Sequence, residues 1–333
     1  MLLKRFPVFS SHAGDANNSR HIAYTEWGEP DNPHIVVCVH GLTRNCRDFD
    51  FLAQALAADC RVICVDVVGR GQSDWLTDAA GYDDYLLYLS DAVALLEHIG
   101  TLGNDRIQLD WVGVSVGGLI GMMLAIQPEL PLPLPLPIPI RRLVMSDIGP
   151  LIPVAALARI AQYLGKDPRF ASFDEFETYM KKISVSFGPL IEAQWHHLAL
   201  HSVREFSDGT YGFRYDPGIA TSFNKYLSQD IDLWTQWDAL HVPTLVLRGM
   251  ESDLLYAETA KEMQVRGTKA KVIELPGIGH SPMLVSDDQI AIVQDFLLAE
   301  KAALAAQTAC PASLDTIGTA SNDRFFLSWF ADR

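Results

Sequence analysis

The sequence lacks the long apolar segments that membrane proteins carry. No run of about 18 apolar residues without charges occurs in its 333 residues, and such a run is what a membrane-spanning helix needs. Lys4, Arg5 and Pro7 interrupt the first residues, and no apolar segment typical of a secretory signal peptide follows them. We therefore expect no membrane partner and no export by a signal peptide.

A surplus of positive charge is also missing. The chain has 26 Lys and Arg against 41 Asp and Glu, a formal net charge of −15. Nucleic acids and anionic membranes would repel such a chain, so we expect neither as a partner. The surplus of acidic residues is more typical of a charge that keeps a protein in solution.

The five cysteines lack the spacing of disulfide-rich, zinc or redox sites. Cys38 and Cys64 lie inside apolar runs, where cysteine is usually a small buried hydrophobic residue. A reducing cytoplasm is the simplest compartment for such a chain.

Motifs for metals and organic cofactors are absent as well. The sequence has no H-E-x-x-H and no glycine-rich phosphate loop with its lysine, so we expect no cofactor and no metal. His196, His197 and His201 are close in sequence, and the last two would share a helix face. Without a carboxylate ligand nearby in the sequence, they favour packing or surface roles.

Apolar runs alternate with helical patterns through most of the chain. One amphipathic helix is predicted at 83–98, and near-continuous Val, Ile and Leu runs are typical of parallel strands covered on both faces. The pattern predicts a mostly parallel, doubly wound α/β sheet. The predicted strands are 35–40, 62–66, 107–114, 141–147, 244–249 and 271–275, with 21–27 as an antiparallel strand before them.

The alternation stops at Pro150 and resumes near Val242. We predict that 150–240 is an α-helical cap without clear strands, inserted into a core formed by 1–149 and 241–307. Most of the cap's aromatic residues should form its own core, and a minority should face the cleft where an apolar substrate would bind. These residues are Phe170, Phe173, Phe176, Tyr179, Phe187, Trp195, Phe223, Tyr226, Trp234 and Trp237.

Two segments do not fit this pattern. Proline alternates with aliphatic residues in 130–140, which predicts an extended surface connection or a ligand for a proline-binding partner, with the connection favoured. The tail 308–333 ends in an aromatic cluster, which predicts docking on the core or on a second subunit, as in a homodimer.

The strongest catalytic motif is the pentapeptide from Gly113 to Gly117, with Ser115 at its centre. It follows a predicted strand and opens a helical stretch, as the nucleophile elbow of a serine hydrolase requires. The two glycines would avoid collisions in a sharp turn, and the helix N-terminus favours developing negative charge. The alternative is a glycine-rich packing turn whose serine has no catalytic role.

A serine nucleophile needs a base, and the best-placed histidine is His280. It follows the last predicted strand in a glycine-rich loop, whereas His98 lies on a helix face. The imidazole in turn needs an acid that fixes its tautomer. Asp253, after the strand 244–249, is our first choice.

Two other acidic residues compete with Asp253. Glu251 is its neighbour, and Asp147 ends the preceding predicted strand, where an aspartate more often binds loop backbone. The order serine, aspartate and histidine along the chain is the order of an α/β-hydrolase triad.

The negatively charged tetrahedral intermediate needs backbone donors. We expect the N–H of Val116 and that of Leu42, in the loop after the strand 35–40, to be these donors. Gly41 would allow close backbone approach, and His40 should brace the loop. Arg44 is a candidate for binding a substrate carboxylate, although a solvated surface role is equally expected.

With these residues the sequence resembles the α/β-hydrolase superfamily over nearly all of residues 20–300. The motifs that carry the resemblance are His40-Gly41-Leu42, Asp66 to Asp74 (DVVGRGQSD), Gly113 to Gly118, Asp253 and Gly279-His280. The resemblance implies an α/β-hydrolase fold with a helical cap. It also implies that the glycines and aspartates of DVVGRGQSD are structural.

The sequence motifs HGLTRN, DVVGRGQSDW and ESDLL resemble those of a bacterial group of carboxylesterases. That likeness implies action on short acyl esters and on aliphatic polyesters such as polylactide or hydroxybutyrate oligomers. Similar dehalogenases and epoxide hydrolases carry aspartate where Ser115 stands. We expect a serine carboxylesterase; the alternatives are hydrolysis of a thioester, lactone, amide or C–C bond by the same triad, or a binding protein without activity.

Overall fold

The apolar runs form the strands of one eight-stranded sheet in the computed structural model, which describes residues 1–9, 19–100, 106–127, 136–221 and 223–299. Its strands are β1 (Leu2–Phe9), β2 (Ser19–Trp27), β3 (His34–Val39), β4 (Arg61–Val65), β5 (Gln108–Val114), β6 (Ile140–Ser146), β11 (Thr244–Gly249) and β12 (Lys271–Leu275). Every residue of β3 and β11 is buried, which explains the continuous apolar runs in the middle of both strands.

The strand order in this sheet is β1-β2-β4-β3-β5-β6-β11-β12. The pairs β1–β2 and β2–β4 are antiparallel, and all the other neighbours are parallel. Because β5, β6 and β11 are neighbours and parallel, the residues that follow them meet at one edge of the sheet.

Helices cover the sheet and lie in the connections between its strands. They are α1 (Asp50–Leu56), α2 (Tyr85–His98), α3 (Val116–Ala125), α4 (Val154–Ala161), α5 (Phe173–Ile183), α6 (Glu192–Ser202), α7 (Trp234–Asp238), α8 (Ala257–Met263) and α9 (Asp287–Leu297). Within the described residues, none of the helices is long and apolar enough to cross a bilayer.

The predicted mostly parallel α/β sheet is confirmed, and the predicted strands agree with the observed ones to within two residues at each end. The strand β1 was not predicted from the sequence. Its Pro7 and its charged residues are unusual in a strand but are tolerated at a sheet edge, where β1 pairs only with β2.

The segment 150–240 lies between the neighbouring strands β6 and β11. It contains α4, α5, α6 and α7, as the aromatic spacing indicates. The expectation that it has no strands is wrong, because two short antiparallel pairs stabilise its turns. These are β7 (Leu151–Ile152) with β10 (Ile231–Asp232), and β8 (Val203–Glu205) with β9 (Tyr211–Phe213).

Two predicted segments fall wholly or partly outside the described residues. Of the proline tract only 136–140 is described, and it leads directly into β6. Leu136 donates its backbone N–H to the side-chain oxygen of Gln127 at 2.7 Å. The tail 308–333, and with it the predicted second subunit, lies outside the described part of the chain.

Candidate active site

Ser115 lies on a strained turn between β5 and α3. Its φ of 52° is in the left-handed region, which residues other than glycine rarely adopt. The turn is tight enough to require glycine on both sides. A Cβ on Gly113 would lie 2.2 Å from the backbone of Gly117, and one on Gly117 would lie 2.1 Å from the carbonyl oxygen of Val39. This is the geometry that the pentapeptide predicts.

His280 follows β12 and is held by a buried carboxylate. Its Nδ1 donates to Oδ2 of Asp147 at 2.8 Å, which leaves Nε2 as the ring nitrogen that can accept a proton. Asp147 is fully buried at the end of β6. It also accepts the N–H of Gly249 at 2.9 Å and the hydroxyl of Ser252. Three segments of chain therefore meet at one carboxylate.

The structure does not place Asp253, the predicted acid of the triad, on His280. Asp253 pairs with Arg159 of α4, whose Nη2 lies 2.9 Å from Oδ1, and 47% of the Asp253 side chain is exposed. The carboxylate that pairs with His280 is that of Asp147, the alternative acid after the neighbouring strand β6. It binds loop backbone, as expected for such an aspartate, and the histidine as well.

Ser115 and His280 line one cavity of about 390 Å³, together with Leu42 and Val116, which are the predicted oxyanion donors. Most of its wall is apolar. Four of the ten aromatic residues singled out between 150 and 240 lie on this wall: Tyr179, Phe187, Phe223 and Tyr226. Phe176 is instead fully buried in a separate cluster with Met180 and Leu198.

The loop after β3 is braced by His40. Its Nδ1 donates to the carbonyl oxygen of Gly41 at 2.7 Å, and its Nε2 accepts the N–H of Val67 at 3.0 Å. Burial lowers the pKa of His40 to about 3, so the ring is neutral and both hydrogen bonds persist at neutral pH.

Arg70 is a second brace on this loop and was not predicted from the sequence. Its Nε donates to the carbonyl oxygen of Leu42 at 2.9 Å, and its Nη1 to that of Val68 at 2.7 Å. The guanidinium also lies over the rings of Tyr82 and Tyr88. Within DVVGRGQSD, this arginine had no feature that distinguished it from a surface residue.

The surroundings of Gly41 and Arg44 differ from those that the sequence analysis predicts. A Cβ on Gly41 would be 3.7 Å from the Cβ of Ser115, an ordinary contact, so no close backbone approach requires glycine there. Arg44 lines the cavity but forms two hydrogen bonds with Asp48, at 2.6 and 2.8 Å. Its charge is therefore already balanced.

The DVVGRGQSD loop is structural, as the family resemblance implies. The carboxylate of Asp66 accepts the N–H groups of Cys46 at 2.7 Å and Gln72 at 2.8 Å. A Cβ on Gly71 would lie 2.2 Å from that carboxylate. These contacts join the segment after the loop 40–45 to the segment after β4.

The structure brings a carboxylate to two of the cap histidines. Asp50, His197 and His201 place their ligand atoms within 4.8 Å of one another. The guanidinium of Arg47 already pairs with Asp50 and lies 3.5 Å from Nδ1 of His201. Burial, and then the charge of Arg47, lower the pKa of His201 to about 4. A side-chain cation thus already contacts two of the three groups that could bind a metal ion.

Comparison with known proteins identifies close relatives. The family model described as "Alpha/beta hydrolase family" matches residues 36–293. The 3-hydroxybutyrate-oligomer hydrolase of Cupriavidus necator is 44% identical over 283 residues, which cover 83% of this chain and 92% of that protein. Esterase Rv0045c of Mycobacterium tuberculosis is 24% identical over 82% of this chain and 84% of that protein.

The fold is also similar to that of solved structures. An alpha/beta hydrolase from Novosphingobium aromaticivorans superimposes with a TM-score of 0.73 and 33% identity. The match covers 89% of this chain and 98% of that one.

His40 should make stability depend on pH. Its pKa is about 3 in the folded protein and near 6.5 in an unfolded chain, so between these values only the unfolded state binds the proton. We expect its contribution to the free energy of unfolding to fall by about 2 kcal/mol from pH 6.5 to about 4.5. Urea unfolding at both pH values should show this loss in the wild type and a smaller loss in His40→Gln. Equal losses in the two proteins would contradict the account.

Proposed function

The chain belongs to the alpha/beta hydrolase family and hydrolyses esters, and we propose that Ser115, His280 and Asp147 form its catalytic triad. The observation that carries the proposal is the 2.8 Å hydrogen bond from His280 to the buried Asp147, beside a cavity that Ser115 also lines. A buried carboxylate fixes the histidine tautomer and stabilises the imidazolium that forms during the reaction.

In the first half of the reaction, Nε2 of His280 takes the hydroxyl proton of Ser115 while Oγ bonds to the ester carbonyl carbon. The backbone N–H groups of Leu42 and Val116 stabilise the oxyanion. His280 then returns its proton to the departing alcohol oxygen as the C–O bond breaks. An acyl group remains on Ser115.

In the second half, His280 takes a proton from water, and the hydroxide oxygen bonds to the acyl carbon. The oxyanion forms again between Leu42 and Val116. The bond to Oγ then breaks, Ser115 regains its proton from His280, and the free acid leaves. No group outside the described residues and water is needed for these steps to balance.

We propose that the substrates are short aliphatic polyesters, with oligomers of 3-hydroxybutyrate as the leading candidate. The support is the 44% identity to a 3-hydroxybutyrate-oligomer hydrolase over most of both chains. The apolar cavity wall fits the aliphatic backbone of such oligomers.

We further propose that the protein works in the reducing cytoplasm. Cys38, Cys46, Cys60 and Cys64 are all buried free thiols. Cys38 and Cys64 are paired neighbours on β3 and β4, and yet they form no disulfide.

Replacement of the nucleophile should abolish activity. We expect Ser115→Ala to lower kcat for p-nitrophenyl butyrate by at least roughly 10³-fold and to prevent labelling by a fluorophosphonate probe. Ser228→Ala is the matched control, because Ser228 is exposed and lies outside the cavity wall. Full activity in Ser115→Ala would refute the proposed nucleophile.

The two candidate acids should respond differently to the same change. Asp147→Asn removes the carboxylate on His280, so we expect kcat for p-nitrophenyl butyrate to fall roughly 10³- to 10⁴-fold. Asp253→Asn breaks only a half-exposed pair with Arg159, so we expect kcat to change by less than about threefold. The reverse ranking of the two variants would restore Asp253 as the acid.

A further inference from the structure

The cavity wall is positive although the chain as a whole is strongly negative. Among the described residues of the wall, four carry a permanent positive charge and one carries a carboxylate. The four are Arg44, Arg70, Arg159 and Lys166, and the carboxylate is Asp83. With a net charge of −15 for the whole chain, chance would favour the opposite balance.

Two of these cations are held by buried partners. Arg44 is balanced by its two hydrogen bonds to Asp48, and Arg70 is buried with its donors on backbone carbonyl oxygens. Asp83 is likewise occupied, because it pairs with Lys225 and accepts the hydroxyl of Tyr226 at 3.1 Å. Arg159 pairs with Asp253 through the same two nitrogens, but 38% and 47% of these two side chains are exposed, so solvent weakens this pair more than the buried one. The cations that remain for a ligand are therefore Arg159 and Lys166.

Lys166 is the less constrained of the two. It is exposed and lines the cavity, which places it at the mouth, and within the described part of the chain it forms no ion pair. Arg159 uses Nε and Nη2 for Asp253 and also interacts with the side chain of Tyr163, so a ligand carboxylate would share its guanidinium with these two partners.

Arg159 and Lys166 are also close along the chain. Hydrogen-bonded turns continue from α4 through Tyr163 to Lys166, although the positive φ of Gly165, 75°, ends the helical path before Lys166. Tyr163, between them, lines the same cavity and interacts with Arg159. Both cations therefore lie on the wall of one mostly apolar cavity.

We propose that Arg159 and Lys166 bind the free carboxylate end of a hydroxyacid oligomer whose ester bond lies at Ser115. The inference rests on the proposed function and adds the substrate class, namely oligoesters with an ionised end. Each linear oligomer of a hydroxyacid has one terminal carboxylate, and each hydrolysis leaves a new one on a product. Charge-assisted hydrogen bonds from Arg and Lys suit such a group.

Asp253 competes with the substrate in this arrangement. Its carboxylate pairs with the guanidinium that the substrate carboxylate would approach. Removal of its charge should therefore strengthen the binding of anionic substrates. That direction is opposite to the loss of activity expected if Asp253 were the acid of the triad.

The test compares the 3-hydroxybutyrate trimer as the free acid with the same trimer capped as a neutral N-methylamide. We expect Lys166→Met and Arg159→Met each to raise KM for the acid about tenfold and to leave KM for the amide and kcat for both substrates unchanged. Lys166→Arg should retain the low KM. Asp253→Asn should lower KM for the acid only.

Lys182→Met is the matched control, since Lys182 is exposed in α5 and lies outside the cavity wall. It removes the same charge and should leave KM for both trimers unchanged. Equal effects of Lys166→Met and Lys182→Met, or equal effects on acid and amide, would overturn the inference while the proposed function stands. Failure of the wild type to hydrolyse neutral p-nitrophenyl butyrate would overturn the proposed function, and this inference with it.

Discussion

The buried carboxylate of Asp147 is the contact on which the arrangement of the site depends. It accepts hydrogen bonds from Gly249, Ser252 and His280, and so joins the end of β6 to the end of β11 and to the loop after β12. Burial of an ionised carboxylate is costly unless several donors surround it, and here three do. The position of the histidine is therefore coupled to the packing of the sheet edge.

The backbone of Ser115 is constrained as well, by the close packing of the turn around it. Its left-handed backbone is held because Gly113 and Gly117 pack at distances that exclude any Cβ. The loop with Leu42 is fixed independently, through His40 and Arg70. Ser115, His280 and Leu42 thus follow strands of the core sheet and are each held by packing or hydrogen bonds, as precise positioning requires.

The sequence was sufficient to predict the fold and the sharp turn at Ser115 between a strand and a helix. The long apolar runs fix the strands, and glycines two residues before and after Ser115 are typical of a sharp turn between a strand and a helix. The acid could not be predicted in the same way, because Asp147 and Asp253 both lie between serine and histidine in the chain. Both also follow parallel strands that are neighbours in the sheet. The contacts in the folded chain separate them, because Asp147 is buried and hydrogen-bonded to His280, whereas Asp253 pairs with Arg159.

Other features missing from the sequence analysis depend on contacts between distant residues. Arg70 reaches Leu42 across 28 positions, and Asp50 meets His197 across 147 positions, so no local motif reports either contact. The positive cavity wall is hidden in the same way, because the overall composition is acidic. Local charge around a cavity is a property of the fold, and the net charge of a chain does not predict it.

The assignment of Asp147 can be tested most directly by a crystal structure of the protein with a phosphonate bound covalently to Ser115. The account predicts Asp147 within hydrogen-bonding distance of Nδ1 of His280, and a phosphonyl oxygen on the N–H groups of Leu42 and Val116. A structure in which Asp253 has left Arg159 and binds His280 would contradict it.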